Sequence, residues 1–186
     1  MARALGLLIV ALVSVALGAT VTPRRICTAS STPSTPSSLV ARVCVLRGGA
    51  TERTFAMLKP DVAKDSATVN GIKAMIDGAG LTIEREERCR LSRRQCETFY
   101  AEHAERSFFP DLVRFMSSGP VIKLELSGSD AVKRWRTLLG PTNSAVAREK
   151  APKSVRALFG TDQQRNAAHG SDGVESAKRE LSLMFK

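Results

Sequence analysis

Apolar and polar residues change their spacing several times between residues 52 and 186, and the changes predict alternating strands and helices. Patterns typical of strands occupy residues 54–58, 81–91, 121–127 and the short stretch 167–169. Helical patterns occupy residues 69–79, 92–103, 109–116, 131–139 and 172–184. This order predicts an α+β fold, an α/β sandwich in which a ferredoxin-like, four-stranded antiparallel sheet has helices packed on it.

The pattern at residues 121–127, and the lack of one at 141–165, refine this fold. In 121–127 apolar residues alternate with Lys123 and Glu125, which predicts a strand buried on one face and open to solvent on the other. Residues 141–165 show no clear period and predict a long loop. A loop of that length inside a compact domain commonly has a function.

Residues 1–51 differ from the rest in composition, since they hold five arginines and no acidic residue. The apolar stretch within residues 1–19 follows Arg3 and is typical of a secretory signal, but it is too short to predict a membrane span in the mature form. Residues 20–51 are rich in Ser, Thr, Pro and Arg, as transit peptides and linkers are. We therefore expect a cleaved targeting segment for the secretory pathway or an organelle, with a mitochondrion or plastid as the alternative, and a folded domain at 52–186.

The net charge of the whole chain is +10, but much of it comes from the first 51 residues. Residues 52–186 hold 23 of the 28 basic residues and all 18 acidic residues, a net charge of +5 without a block of like charges. Few aromatic residues lie among the basic ones, so no nucleic-acid binding is expected. The four cysteines form no CxxC pair, which argues against a zinc site. Cys89 and Cys96 are predicted to be free, partly buried thiols.

One of only two histidines, His169, lies in the polar stretch RNAAHGSDG. The alanines before it would leave room around the imidazole, and Gly170 would permit an unusual backbone angle. Asp172 begins the last predicted helix, whose N-terminal amides favour an anion beside the ring. Glu180 lies about two turns along that helix and could accept the proton of one ring nitrogen, leaving the other as a nucleophile. His169 is therefore the first candidate for catalysis, with a purely structural histidine as the alternative.

The segment NAAHGSD at 166–172 resembles the NxxHGSD signature of the nucleoside diphosphate kinase family. Further similarities are TFAMLKPD at 54–61, RSFF at 106–109, MSSGP at 116–120 and GPT at 140–142. The resemblance covers about residues 53–186, nearly all of the predicted domain. The stretch between Thr142 and Arg156 is longer than in the common members, and in this the chain is more similar to the divergent, mitochondrially associated branch.

The resemblance implies catalytic roles for five residues. It implies transfer of the γ-phosphate of a nucleoside triphosphate to a nucleoside diphosphate by a ping-pong mechanism, with His169 as the nucleophile and a phosphohistidine as the intermediate. Lys59 and Tyr100 match groups beside the transferred phosphate, where a cation and a hydroxyl suit the developing charge. Ser171 and Glu180 match the pair that orients the histidine.

Nucleotide-binding roles follow from the same resemblance. Arg136, Thr142 and Arg156 match the phosphate-binding set, and the forked donors of arginine suit bidentate contacts with phosphate. Phe108 matches the aromatic residue that stacks on the base, with Leu112 alongside. Stacking accepts every base because each has a π-face. The long loop would then cover the nucleotide.

Asn166 matches a contact to the ribose hydroxyls. ATP and other nucleoside tri- and diphosphates are the implied partners, with Mg²⁺ held mainly by the phosphates of the nucleotide, so that few protein ligands are required. Gly173 replaces the serine that usually follows HGSD. The chain stops at Lys186, before the tail that common members use between subunits. Of the homo-oligomers that the resemblance implies, a hexamer is therefore in doubt, and a dimer or a monomer is the expectation. The alternative function is a weakly active or inactive kinase-like domain that binds a partner protein.

Overall fold

An antiparallel sheet of four strands organises the domain, for which a computed structural model describes residues 51–186. The strands are β1 (Glu52–Leu58), β2 (Thr82–Arg90), β3 (Pro120–Gly128) and β4 (Ala168–Gly170). They lie in the order β2-β3-β1-β4, and each neighbouring pair is antiparallel. The predicted ferredoxin-like α+β fold is confirmed.

Eight α-helices accompany the sheet within the described residues. They are α1 (Pro60–Ala63), α2 (Ser66–Gly78), α3 (Arg93–Phe99), α4 (Phe109–Ser117), α5 (Ala131–Leu139), α6 (Ser144–Lys150), α7 (Val155–Phe159) and α8 (Val174–Met184). Asp65 accepts hydrogen bonds from two amides at the start of α2, and Ser92 forms a capping box with Gln95 at the start of α3. A 3-10 turn at Ala101–His103 replaces the last part of the helix predicted at 92–103.

The segment 141–165, predicted to be a loop, contains the two short helices α6 and α7. The side chain of Asn143 caps α6 and that of Ser154 caps α7. Neither helix reaches two full turns, at about 3.6 residues per turn, which is too short for a hydrophobic period to show in the sequence. The prediction of a loop without secondary structure is therefore wrong.

Both faces of the sheet are covered along its central strands, whereas β2 is largely exposed. On one face, Leu58, Ile122 and Leu124 belong to a core shared with α2 and α5. On the other face, Phe55 and Met57 belong to a core shared with α3, α4 and α8. The two central strands, β1 and β3, are therefore covered on each side.

Strand β3 does not have the open face that its pattern predicts. Only 6% of Lys123 and 5% of Glu125 is exposed. The ammonium group of Lys123 donates to the main-chain oxygen of Met184 at 2.7 Å and pairs with Glu87 at 2.9 Å. The carboxylate of Glu125 is held by Arg53 at 2.6 Å. The prediction of a half-buried strand is wrong because the end of α8 covers this face and each buried charge has a partner.

The targeting segment predicted at 1–51 lies outside the described residues, apart from Thr51. Between residues 51 and 186, no helix is both long and apolar enough to cross a membrane. Cys89 is partly exposed and Cys96 is buried, and both are free thiols, as predicted.

Candidate active site

His169 lies in the middle of β4, the edge strand that pairs with β1. Successive residues of a strand point to opposite faces, and the buried Ala168 belongs to the core on the α2 and α5 side. The imidazole lies on the other side, where it meets Phe55, Phe99 and Tyr100 at ring-centroid distances of 6.1, 5.1 and 6.2 Å. The expectation that the preceding alanines clear space around the ring is therefore wrong, and aromatic side chains confine it instead.

Glu180, on α8, holds one nitrogen of the imidazole. Its Oε2 lies 3.0 Å from Nε2 of His169, and the hydroxyl of Ser171 donates to the same oxygen at 2.7 Å. Glu180 and Ser171 are both buried, so these contacts are shielded from water and correspondingly stronger. Among residues 51–186, Nδ1 of His169 has no hydrogen-bond partner. The structure thus brings the three predicted residues together and leaves Nδ1 as the free nitrogen.

Trp135 holds the main chain at His169, a contact that the sequence does not predict. The indole is fully buried on α5, and its N–H donates to the carbonyl of His169 at 3.2 Å. A Cβ atom at Gly170 would lie 2.5 Å from the indole nitrogen. Gly170 has no positive φ, so the expected unusual backbone angle is absent and close packing explains the glycine. The only sequence signal for Trp135 is its place on the apolar side of an amphipathic helix.

The unusual backbone angle lies at Ala167, whose φ is 69°. The amide of Ala168 donates to the carbonyl of Asn166 at 2.8 Å, a bond across one residue that makes Ala167 the centre of a γ-turn. The carboxylate of Asp61 accepts the Ala167 amide at 3.0 Å, and the Lys59 amide donates to the Ala167 carbonyl at 2.9 Å. The sequence assigns Asp61 no role, although it is the last residue of the TFAMLKPD stretch that resembles the family.

Lys59 and Asn166, predicted to contact phosphate and ribose respectively, are bonded to each other. Nζ of Lys59 donates to Oδ1 of Asn166 at 2.7 Å and to the main-chain oxygen of Gln164 at 3.0 Å. Burial lowers the pKa of Lys59 to about 8; the charge of Arg156 acts in the same direction and that of Asp61 opposes it. The ammonium group is therefore fixed in place and easier to deprotonate than an exposed lysine.

Thr142 and Arg156 lie together beside this pair. Nη1 of Arg156 lies 3.5 Å from the hydroxyl of Thr142. The side-chain amide of Asn166 donates to the main-chain carbonyl of Thr142 at 2.9 Å. Burial, followed by the charge of Arg136, lowers the pKa of Arg156 to about 10, while Asp172 opposes both effects. The two predicted phosphate ligands are thus linked to the predicted ribose ligand.

Arg136, the third predicted phosphate ligand, forms an ion pair with Asp172. Both side chains are exposed, so solvent weakens the pair and an anionic ligand could replace the carboxylate.

Gly173, not Asp172, is the N-cap of α8, and no side chain caps this helix. The expectation that Asp172 starts the helix as its cap is therefore wrong, because its carboxylate bonds to Arg136 instead.

A row of rings leads from the histidine to the predicted base site. The ring of Tyr100 stacks with that of His103 at 6.4 Å, and His103 lies 5.7 Å from Phe108. Phe108 is 49% exposed, whereas Leu112 is 7% exposed and belongs to the core. The hydroxyl of Tyr100 is buried without a hydrogen-bond partner among the described residues, and burial raises its pKa far above the usual value. Phe108 is thus available for stacking, while Leu112 offers a ligand little surface.

Three cations converge on the segment that contains the histidine. Each bonds to a residue within three positions of His169: Lys59 to Asn166, Arg156 to Ala168 and Arg136 to Asp172. Cations gathered in this way favour an anion with several charges, such as a polyphosphate. Within residues 51–186 there is no group of three or more His, Cys, Asp and Glu side chains that could hold a metal ion. The arrangement suits a nucleophilic nitrogen next to a bound phosphate.

These features define an α+β domain with a ferredoxin-like sheet, whose edge strand carries a histidine set among three cations. The particular family follows from sequence: the chain belongs to the nucleoside diphosphate kinase family, whose sequence model matches residues 52–186. The resemblance seen in the sequence is thereby confirmed.

Known relatives agree with this assignment. The chain is similar to nucleoside diphosphate kinase homolog 7 of Rattus norvegicus, at 47% identity over 138 residues that cover 74% of this chain and 34% of the relative. It thus spans about a third of the length of that relative. A crystal structure of the Aquifex aeolicus nucleoside diphosphate kinase matches with a TM-score of 0.69 and 44% identity, covering 74% of this chain and 96% of the other. A Halobacterium salinarum nucleoside diphosphate kinase in complex with CDP matches with a TM-score of 0.67 and 34% identity, covering 73% and 88%.

Proposed function

We propose that this domain transfers the γ-phosphate of a nucleoside triphosphate to a nucleoside diphosphate by a ping-pong mechanism, through a phosphohistidine at Nδ1 of His169. The observation that carries the proposal is the 3.0 Å contact between Nε2 of His169 and Glu180. A ring nitrogen held by a carboxylate keeps its proton, which leaves the lone pair of the other nitrogen free for attack. Membership of the nucleoside diphosphate kinase family supports the same reaction.

In the first half-reaction, the lone pair of Nδ1 attacks the γ-phosphorus and a nitrogen–phosphorus bond forms. The bond from phosphorus to the bridging oxygen breaks, and its electron pair leaves with the nucleoside diphosphate. Positive charge grows on the ring of His169 during this step, and the carboxylate of Glu180 stabilises it. The hydroxyl of Ser171 donates to the same carboxylate oxygen and keeps it in position.

In the second half-reaction, a terminal oxygen of another nucleoside diphosphate attacks the phosphorus. The nitrogen–phosphorus bond breaks and Nδ1 recovers its lone pair, so His169 returns to its starting state. Because both halves use the same site, the donor and the acceptor nucleotide bind one after the other.

We assign the phosphates to the three cations around His169. Arg156 and Arg136 offer forked donors, and a phosphate would take the place of Asp172 on Arg136. Lys59 is positioned for the transferred group, where a cation opposes the developing charge. The buried hydroxyl of Tyr100 would gain the acceptor that it lacks within the described residues.

The nucleoside is assigned to the residues beside these cations. The exposed ring of Phe108 would stack on the base, with the small exposed part of Leu112 at its edge. Asn166 and Thr142, which are bonded to each other, would meet the ribose and the adjoining phosphate. The Halobacterium relative in complex with CDP supports a nucleotide of this kind.

Mg²⁺ is the metal that we assign to the reaction. It would be held by the phosphates of the nucleotide, since Mg²⁺ commonly uses phosphates together with one or two carboxylates. The exposed carboxylate of Asp172, next to Arg136, fits the role of a single protein contribution. When bound, the ion neutralises part of the charge on the phosphates.

Covalent labelling tests the proposal. The purified protein is incubated with γ-labelled ATP, and the label is tested for stability in acid and in base. Wild type is expected to carry an acid-labile label that passes to GDP on a chase, and His169→Ala is expected to carry none. A wild type that takes up no label, or a His169→Ala variant that takes up as much, would replace this proposal with the alternative, an inactive kinase-like domain that binds a partner.

We also propose that residues 1–51 direct the protein to the secretory pathway or an organelle, and that the domain forms a homo-oligomer. The first proposal is supported by the acid-free, arginine-containing composition of that segment. A fluorescent reporter fused behind residues 1–51 is expected to leave the cytosol, and light scattering on the folded domain is expected to give more than the mass of one chain.

A further inference from the structure

We propose that Asp61 is a positioning residue, whose carboxylate holds Ala167 in the γ-turn that places Asn166 and His169. The inference rests on the proposed function for the reaction that the turn serves. The turn and its contacts are features of the chain itself.

Ala167 has an unfavourable backbone conformation. Its φ of 69° lies in the left-handed region, which L-residues with a Cβ atom avoid. Among the described residues, Asp130 is the one further non-glycine residue with a positive φ. Aspartate tolerates this region because its short side chain can bond to the local backbone. Alanine has no such group, so another part of the chain must hold Ala167.

The stretch that follows β1 supplies this hold. The carboxylate of Asp61 accepts the Ala167 amide at 3.0 Å, and the amide of Lys59 donates to the Ala167 carbonyl at 2.9 Å. Both polar groups of the strained residue are therefore bonded to a segment more than 100 positions earlier in the chain. A turn fixed at both its donor and its acceptor cannot relax without breaking these bonds.

The contact with the turn leaves the carboxylate of Asp61 in an unfavourable environment. Its second oxygen, Oδ1, is buried without a hydrogen-bond partner among residues 51–186. Burial also raises the pKa of the carboxyl group, while the Ala167 amide and the charge of Lys59 act in the opposite direction. A carboxylate with one buried oxygen left unpaired is expensive, which argues that its contact with the Ala167 amide has a purpose beyond filling space.

The turn sits between two residues that the proposed reaction needs. Asn166, immediately before Ala167, is bonded to the ammonium group of Lys59, and His169 follows two residues later against Glu180. Relaxing φ at Ala167 to negative values would swing the chain on both sides of it. Asn166 would leave Lys59, and the imidazole would lose its alignment with Glu180.

The test combines loss of the carboxylate with relief of the strain. Asp61→Ala is expected to lower the rate of phosphohistidine formation on the order of 10- to 100-fold, as displacement of a reacting group does. Adding Ala167→Gly to this variant is expected to restore most of the lost rate, because glycine adopts positive φ without strain. A role in stability alone would not be rescued in this way, since glycine adds no contact.

Asp65→Ala is the matched control. Asp65 lies on the same segment, is exposed, and caps α2 without touching the turn. Its loss should lower stability and leave the rate of phosphohistidine formation unchanged. If Asp65→Ala slows the reaction as much as Asp61→Ala does, or if Ala167→Gly restores nothing, the proposal is overturned.

Two further measurements keep the test decisive. If Asp61→Ala does not fold, Asp61→Asn retains an oxygen that can accept the Ala167 amide and should keep most of the rate; a loss as complete as that of His169→Ala overturns the proposal. Hydrogen exchange at the Ala167 amide should be faster in Asp61→Ala than in wild type, and unchanged exchange contradicts the contact. Exchange is independent of catalysis, so it decides whether Asp61 holds the turn even if wild type forms no phosphohistidine and the proposed function fails.

Discussion

The ammonium group of Lys59 and the amide oxygen of Asn166 lie 2.7 Å apart, although 107 positions separate them in the chain. This hydrogen bond joins the end of β1 to the turn before β4, and both of these places supply residues of the site. A phosphate that binds here meets a cation whose direction is already set. Little reorganisation is then needed when charge develops in the transition state.

Lys59→Ala is expected to lower kcat by roughly 100-fold or more with a smaller change in KM, because the cation acts on charge that develops during transfer. Asn166→Ala should have a smaller effect of the same kind, since it releases the ammonium group. Steady-state kinetics of the two single variants and the double variant provide the check. The losses should be less than additive, as for residues that share one contact; fully additive losses would show that the bond has no part in catalysis.

Phe108→Ala is expected to raise KM and leave kcat nearly unchanged, because the ring contributes to binding and not to bond breaking. Loss of one base–aromatic stack costs about 1–3 kcal/mol of binding free energy. Phe108→Tyr, which keeps an aromatic face, is the control and should bind nearly as well as wild type. Titration with a nucleoside diphosphate measures both, and a kcat defect in Phe108→Ala without a KM defect would contradict this assignment.

The kcat/KM for the nucleoside triphosphate is expected to fall as the pH rises through about 8. Burial disfavours the charged form of Lys59 and lowers its pKa to about 8, so the cation is present below that pH and lost above it. The kcat/KM profile is the right measurement because it reports groups of the free enzyme. Arg156, with a pKa of about 10, stays charged across this range. Activity that stays level up to pH 9.5, measured in steps of about half a unit, would exclude Lys59 as the required cation.

Gly170→Ala is expected to destabilise the domain by roughly 1–3 kcal/mol, as overpacking does. The added methyl group would lie 2.5 Å from the indole nitrogen of Trp135 and push apart the contact that holds His169. Gly173→Ala is the matched control, because a Cβ atom there meets nothing within 4 Å and φ is an extended −163°. Urea unfolding of both variants decides the matter, and equal midpoints would contradict the packing explanation.

Glu180→Ala is expected to slow phosphohistidine formation on the order of 100-fold, since the imidazole loses the partner that sets its direction. Ser171→Ala should have a smaller effect, because Glu180 keeps its contact with the ring. Glu175→Ala, on the exposed side of the same helix, controls for changes in α8 itself. Rapid-quench labelling measures each rate. Equal rates for Glu175→Ala and Glu180→Ala would mean that the helix, and not the carboxylate, supports the reaction.

The parts of the fold predicted correctly are those in which a period repeats within one element. The amphipathic helix α5 is an example, since its apolar residues recur over nine residues. Helices α6 and α7 are too short for such a repeat and depend on the caps Asn143 and Ser154. The prediction of an open face on β3 is wrong for another reason. The burial of Lys123 and Glu125 depends on partners that α8 and the neighbouring strands bring to them.

The resemblance proposed the residues of the candidate site, but not the contacts that hold them. Asp61 bonds to Ala167 across 106 positions, and Trp135 bonds to His169 across 34. These contacts exist because β4 pairs with β1 and α5 packs beneath β4, and no local pattern encodes either event. The sequence does not predict the positive φ of Ala167 either, since it favours Gly170, three residues later, as the residue with an unusual backbone angle.

Strand β4 is three residues long and lies at the edge of the sheet, where β1 is its one neighbouring strand. Short edge strands separate from a sheet at a lower cost in free energy than central strands do. The proposed nucleophile therefore stands on a short strand that, although largely buried, is bonded to the sheet along one side only. Mild heat or denaturant would inactivate this domain while its central strands and main helices remain native, so loss of activity and loss of fold are separate events.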